Sequence, residues 1–179
     1  MDRGIVTLKP FPGTEVPDGL GVRCDIGRRE NVLSVAFELL GTKPDVLVPA
    51  PAAVPSRKDG LWENTCFELF LAPRDSQRYW EFNLSPSGDW NVYRFDGYRE
   101  GMREEEAYSS LPLETRREGD SFVLLLAIDL GGLIRADLAV DAAISAVIRR
   151  RGQEVSYWAL VHCGPRPDFH RRDGFTMDL

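Results

Sequence analysis

The fold of this chain is decided at Leu61-Trp62-Glu63-Asn64-Thr65-Cys66-Phe67-Glu68-Leu69-Phe70-Leu71 and at the stretch that follows, Tyr79-Trp80-Glu81-Phe82-Asn83-Leu84. Apolar residues alternate in both with the period of two that is typical of a half-buried strand. One face of each stretch is apolar, with the residues Phe67, Leu69 and Leu71, and Trp80, Phe82 and Leu84. The pattern predicts two paired strands that bury these faces in a core and share one outer face.

The outer face combines acidic, amide and aromatic side chains, namely Cys66, Glu68, Phe70, Tyr79, Glu81, Asn83 and Ser85. Aromatic rings stack on the C–H faces of a sugar, and carboxylates and amides exchange hydrogen bonds with its hydroxyls. This face therefore indicates a binding site, with carbohydrate as the first ligand class. We expect Trp62 to stack on the ligand, and Glu68, Glu81 and Asn83 to bond its hydroxyls.

Other strands occupy most of the remaining chain. They are predicted over residues 21–26, 32–40, 90–95, 111–118, 122–130, 138–149 and 155–162. Residues 48–56 hold three prolines and form a surface loop, because proline cannot donate to a sheet ladder. Residues 97–109 are charged and read as a loop or one helical turn, and residues 131–136 as a short helix. The sequence predicts an all-β fold with little helix, an antiparallel β-sandwich of about nine to ten strands in a single domain over residues 1–179.

Composition excludes several classes of function. The net charge is −6, whereas nucleic-acid proteins show a basic patch, and the basic clusters at 149–151 and 171–172 are short. No signal peptide and no apolar run of about 18 residues is present, so neither export nor a membrane partner is expected. The cysteines, Cys24, Cys66 and Cys163, are odd in number and widely spaced, which indicates reduced thiols in the cytoplasm and no metal site.

The motifs also resemble a known group. Leu-Trp-Glu-x-x-Cys-x-Glu-Leu-Phe-Leu, Tyr-Trp-Glu-Phe-Asn-x-x-Pro-x-Gly-x-Trp, Tyr157-Trp158-Ala159-Leu160 and the ending from Pro167 to Phe175 look like a bacterial DOMON-like protein. That group is similar in fold to carbohydrate-binding module family 9. The resemblance covers roughly residues 15–177 and implies a β-sandwich of about ten strands. It further implies a ligand from the classes that the superfamily binds, sugars or haem.

The resemblance implies particular site residues. Family 9 modules use a tryptophan followed six residues later by a glutamate, and Trp62 and Glu68 match that spacing. Glu81 and Asn83 match the polar residues of the neighbouring strand. Family 9 also places a second tryptophan near the C-terminus, whereas this chain has Trp158 on a predicted core strand. After it come only Phe169, His170 and Phe175, so the sequence shows no clear second stacking platform.

Each candidate also has a purely structural interpretation. Trp62 would seal the edge of the sandwich, as large aromatic residues at strand entries commonly do. Glu68 and Glu81 would be solvated residues opposite arginines such as Arg94, which is also a candidate ligand contact. His170 would be a structural residue of the C-terminal segment or a contact to the ligand.

Three other functions remain open at this stage. Glycoside hydrolysis would use Glu68 and Glu81, but we expect a sandwich surface to do little to raise the pKa of either carboxyl, so catalysis is not expected. Haem binding would use Met102 with His162 or His170, and otherwise no cofactor is expected. A protein-interaction or scaffold module would dock a partner on exposed aromatic residues of the outer face.

Overall fold

Two antiparallel sheets make up the computed structural model, which describes residues 4–43 and 45–179. The strands in chain order are β1 (Gly4–Thr7), β2 (Lys9–Pro10), β3 (Gly21–Arg29), β4 (Val32–Leu40), β5 (Cys66–Pro73), β6 (Tyr79–Leu84), β7 (Trp90–Phe95), β8 (Arg103–Glu104), β9 (Leu113–Glu118), β10 (Ser121–Asp129), β11 (Val140–Arg149), β12 (Val155–Ala159) and β13 (Met177–Asp178). Single 3₁₀ turns lie at Leu61–Glu63, Arg151–Gln153 and Arg172–Gly174.

One sheet has five strands in the order β1-β3-β4-β10-β9, and the other has eight in the order β2-β12-β11-β5-β6-β7-β8, with β13 beside β11. Every strand pair is antiparallel. The predicted fold class, an all-β antiparallel sandwich with little helix, is confirmed. Strands β5 and β6 lie at the centre of the larger sheet, paired with Phe67 opposite Leu84 and Leu71 opposite Trp80.

The core between the sheets is formed by the apolar faces that the alternation predicts. Phe67 of β5 stacks on Phe37 of β4 with ring centroids 4.9 Å apart, and on Phe122 of β10 at 6.4 Å. Trp80 and Phe82 are buried in the same cluster. Because these rings come from both sheets, burying them holds the two layers face to face.

The outer face of the eight-stranded sheet is buried as well, which the sequence did not predict. A second apolar cluster lies on this face, made of Phe70, Ala72, Tyr79, Tyr93, Phe95, Ala143 and Phe175, with Phe169 packed against it. Phe169 and Phe175 belong to the segment 164–175, which follows β12 and packs against this face. The prediction that Glu68 and Glu81 are solvated was therefore wrong, since they are only 3% and 5% exposed.

Several local predictions need correction. Residues 131–136 form turns instead of a short helix, because Leu133 and Ile134 both donate their amides to the carbonyl of Leu130. Residues 97–109 contain the two-residue strand β8, which pairs with β7. No helix in the described part of the chain is long and apolar enough to cross a bilayer.

Candidate functional site

A cavity of about 370 Å³ lies on the outer face of the eight-stranded sheet, beside the segment 164–175. Strands β5, β6, β7, β11 and β12 contribute to it, together with the 3₁₀ turn at Leu61–Glu63 and the loop before β8. Its lining residues are Trp62, Glu68, Glu81, Phe95, Arg99, Met102, Val147, Tyr157, Pro167, Asp168, Phe169 and His170. The lining is aromatic and apolar around a small set of charged groups, as is usual for small-molecule sites.

Two carboxyl groups lie on the sheet side of the cavity. In the β5–β6 register Glu68 is opposite Asn83, and Glu81 is opposite Phe70, so the two glutamates are diagonal neighbours on one face. Glu68 Oε2 accepts a hydrogen bond from Ser145 Oγ at 3.1 Å. Glu81 Oε1 accepts one from Asn83 Nδ2 at 3.0 Å. No group of residues 4–43 and 45–179 donates a hydrogen bond to the other oxygen of either carboxyl.

This environment disfavours the charged form of both carboxyls. Burial raises the pKa of Glu68 to about 8, and repulsion from Glu81 adds to the rise, while the Ser145 hydrogen bond opposes it. Burial also raises the pKa of Glu81 to about 7, against the hydrogen bond from Asn83 and the charge of Arg99. We expected that a sandwich surface would do little to raise such a pKa, and that expectation was wrong because both carboxyls are buried on a face that segment 164–175 packs against.

Aromatic side chains from separate parts of the chain line the cavity. The Trp62 ring is 36% exposed and packs edge-on against Tyr93, with centroids 5.9 Å apart. Tyr157, on the outward side of β12, is 38% exposed and contacts Phe169 of the C-terminal segment at 6.2 Å. The sequence showed no clear second platform after Trp62, but the fold supplies Tyr157 and Phe169. Tyr157 could have been found from its alternation with the core residue Trp158.

Asp168 fastens the C-terminal segment beside the cavity. Its carboxylate accepts hydrogen bonds from Arg99 Nη2 at 2.9 Å, from the Tyr98 hydroxyl at 2.5 Å and from the backbone amide of His170 at 3.2 Å. Burial opposes ionisation of Asp168, but the bonds from Tyr98 and Arg99 outweigh it and lower the pKa of this carboxyl. Arg99 is thereby held in an ion pair with Asp168.

His170 is a neutral histidine within an aromatic cage. The Tyr79 hydroxyl accepts the Arg99 backbone amide at 3.2 Å, so its own proton is free to bond His170 Nδ1 at 2.8 Å. With the Tyr79 hydroxyl as the donor, the imidazole proton lies on Nε2, which is 3.8 Å from Glu81 Oε2. Burial and the charge of Arg99 lower the pKa of His170 to about 4. The rings of Phe70 and Phe95 meet the imidazole edge-on at 5.2 and 5.1 Å.

The structure brings together four of the six residues that the sequence predicted for a ligand site: Trp62, Glu68, Glu81 and His170. Asn83 is fully buried and positions Glu81 instead of lining the cavity. Arg94 is opposite Trp80 and shares the inner face of β7 with Trp90 and Val92, so the prediction that it lies beside the glutamates was wrong. Sequence reasoning assigned no site role to seven of the lining residues: Phe95, Arg99, Val147, Tyr157, Pro167, Asp168 and Phe169.

Metal and haem ligation find little support in these residues. The described residues contain no group of three or more histidine, cysteine, aspartate or glutamate side chains that could hold a metal ion. Met102 and His170 line one cavity, and both ring nitrogens of His170 face protein groups. Nδ1 shares a hydrogen bond with the Tyr79 hydroxyl, and Nε2 is 3.8 Å from Glu81 Oε2. His162 is outside the cavity and contacts the carbonyl of Lys9.

The fold and the cavity define an antiparallel β-sandwich with an aromatic-lined site on the outer face of one sheet. No family model and no curated protein sequence matches the chain. A protein from Bacteroides uniformis, proposed to bind carbohydrate, is similar in structure, with a TM-score of 0.70 and 14% identity over 96% of this chain and 84% of that one. A carbohydrate-binding module of family 9 from Caldicellulosiruptor kristjanssonii, in complex with glucose, has a TM-score of 0.48 and 11% identity over 80% of this chain and 68% of that one. The first likeness shows a shared fold.

Proposed function

We propose that the chain is a non-catalytic, DOMON-like carbohydrate-binding module that acts in the cytoplasm and binds its ligand in the cavity described above. The observation that carries this proposal is that exposed aromatic rings and two carboxyl groups, those of Glu68 and Glu81, line the same cavity. The similarity in fold to a protein proposed to bind carbohydrate adds support. The free thiols of Cys24, Cys66 and Cys163 suit a reducing compartment.

The proposed binding mode follows from the chemistry of these groups. Trp62 offers a ring to the C–H face of a sugar, and Tyr157 and Phe169 supply further aromatic surface. The oxygens of Glu68 and Glu81 that lack an internal donor receive the ligand hydroxyls. A protonated carboxyl both donates and accepts, so it suits a hydroxyl, which does the same. Because the cavity is open to solvent, affinity should be modest, with a Kd of about 1 μM to 1 mM.

The test compares the protein with a stacking variant. Thermal shift and calorimetric titration with mono- and disaccharides should reveal at least one sugar that raises Tm. Trp62→Ala should weaken that binding by about fivefold, because stacking on an aromatic ring is worth about 1 kcal/mol. Val54→Ala truncates a residue that is 79% exposed and outside the cavity, and it should bind like the parent. Binding of no sugar, or equal binding by Trp62→Ala, would refute the proposal and favour a protein partner on this surface.

The paired carboxyls favour one second candidate, glycoside hydrolysis. Glycosidases use a neighbouring pair of carboxyls in which a raised pKa keeps one as the acid, and burial raises the pKa of both Glu68 and Glu81. The module proposal predicts no turnover of aryl glycosides near pH 7. Turnover that Glu68→Gln and Glu81→Gln both abolish would replace binding by catalysis. An absorbance spectrum of the purified protein tests haem independently, and a Soret band would overturn both functions.

A further inference from the structure

The side chains that line the cavity include more acidic groups than basic ones. Among the described lining residues Arg99 is the only arginine or lysine, and it is paired with Asp168 at 2.9 Å. Burial and the charge of Arg99 keep His170 neutral, because they lower its pKa to about 4. The charge of Arg99 lowers the pKa of both Glu68 and Glu81, but burial outweighs it and raises them, so neither carboxyl is fully neutralised by the described lining.

Each of these two glutamates is more than nine-tenths buried and has an oxygen without an internal donor. Glu68 Oε1 and Glu81 Oε2 receive no hydrogen bond from the described residues, although both side chains line the cavity. His170 Nε2 is 3.8 Å from Glu81 Oε2, beyond hydrogen-bond range. Neither free oxygen is among the fully buried polar atoms that lack a partner in the described residues, so both are open to the cavity, where a ligand can bring donors to them.

The rings around the carboxyls favour a cation over a neutral donor. Trp62, Phe95, Tyr157 and Phe169 line the same recess. The face of an aromatic ring attracts an ammonium group, and the attraction grows when water is excluded. An ammonium group also supplies up to three donors, enough for both free carboxyl oxygens at once.

We propose that the preferred ligand is a protonated amino sugar, whose ammonium group binds between Glu68 and Glu81 while its ring packs on Trp62. This inference rests on the proposed function for the sugar ring and adds the charge of the ligand. An N-acetylated or unsubstituted sugar has the same ring without the cation, so it should bind more weakly.

Proton release gives a readout on the unmodified protein. Binding of an ammonium group favours the ionised form of the carboxyl pair, and one carboxylate is enough to balance its charge, so at about pH 6 binding expels a proton that the empty site holds. The other titratable groups facing the pair are Cys66, Tyr79, Arg99, Asp168 and His170. Of these groups His170 lies 3.8 Å from Glu81, so a difference in proton release between amino and neutral sugars is assigned to Glu68 and Glu81 only when Glu68→Gln and Glu81→Gln reduce it.

The experiment is calorimetric titration at about pH 6 with glucosamine, galactosamine and mannosamine, each beside its unsubstituted and N-acetyl counterparts. At least one amino sugar should bind about tenfold tighter than both counterparts, equivalent to about 1.4 kcal/mol. Repetition in buffers of different ionisation enthalpy should show proton release for that amino sugar alone. Glu68→Gln and Glu81→Gln, which keep side-chain size, should each weaken binding of that amino sugar by about tenfold and reduce the proton release that accompanies it.

Glu118→Gln is the matched control, since it makes the same change on an exposed strand of the other sheet and should bind like the parent. Neutral sugars that bind as tightly as amino sugars, without proton release, would overturn the inference and leave the proposed function standing. If cyclohexylamine binds as tightly as the amino sugars and no neutral sugar binds, the result would support a cation site. It would also overturn the carbohydrate proposal. Absence of binding by every compound would overturn both.

Discussion

Replacing Glu81 by glutamine should stabilise the ligand-free protein at neutral and alkaline pH and leave it nearly unchanged in acid. The pKa of this carboxyl rises from 4.5 to about 7 because the side chain is buried. One pKa unit corresponds to about 1.4 kcal/mol, so ionising Glu81 in the folded protein costs about 3 kcal/mol. Glutamine has nearly the same shape, and its carbonyl oxygen can accept the Asn83 hydrogen bond, so this cost disappears without opening a void.

The sign of the pH dependence follows from the direction of the shift. A carboxyl whose pKa is raised on folding binds more protons in the folded than in the unfolded state, so stability falls as pH rises. The contribution of Glu81 is fully present below 4.5 and is lost as pH passes through about 7. His170 adds an opposite effect on the acid side, since burial lowers its pKa from 6.5 to about 4. That effect is common to both proteins and cancels in their difference.

The assay is urea denaturation followed by tryptophan fluorescence at several values between about pH 4.5 and 8.5. The free energy of unfolding of the variant should exceed that of the parent by about 3 kcal/mol at the alkaline end, or about 6–12 °C in Tm. The excess should shrink to about zero at the acid end. The free energy of unfolding of Glu118→Gln should follow that of the parent at every pH. Parallel curves for Glu81→Gln, or a variant less stable than the parent at about pH 8, would refute the burial argument.

Three further predictions concern the elements that hold the site. Phe67→Ala should lower the free energy of unfolding by about 3–5 kcal/mol in urea titrations, because it removes the ring that stacks between the sheets; a loss below about 1 kcal/mol would contradict that packing. Asp168→Asn should speed proteolytic cleavage within residues 164–175 while global stability falls by only about 1 kcal/mol, and unchanged cleavage would show that the segment is held otherwise. Tyr79→Phe should cost about 1–3 kcal/mol, and nitrogen NMR shifts should report an Nε2–H tautomer of His170 in the parent that becomes mixed in the variant. A parent with the proton on Nδ1 would contradict the network.

Alternation in the sequence was sufficient for the larger sheet and for much of the site. The period of two at Phe67, Leu69 and Leu71 assigns the inner face of β5, and the same parity places Glu68 on the outer face. Arg94 was misplaced although the same rule applies to it. Counting from Trp90 and Val92 puts Arg94 on the inner face of β7, and Tyr93 on the outer one.

What covers the outer face could not be read from alternation. A strand pattern says which side chains leave the core, but it does not say whether water or another segment meets them. The segment 164–175 has no periodicity, and its cue is two aromatic residues, Phe169 and Phe175, in an otherwise polar ending. The hydrogen bonds of Asp168 that hold it are tertiary contacts to the loop before β8.

By packing on the outer face, segment 164–175 turns an ordinary strand face into a candidate site. Without it Glu68 and Glu81 would be solvated carboxylates, with little reason for either to keep a proton at neutral pH. With it, each ionisation opposes folding, and the free oxygens face a recess lined by aromatic rings. A protein that keeps such groups gives up stability, and a ligand that supplies donors or positive charge recovers it. On these proposals the affinity for the ligand and the pH dependence of the free energy of unfolding both depend on the buried pair Glu68 and Glu81. Glu81→Gln should therefore reduce the affinity and the pH dependence together.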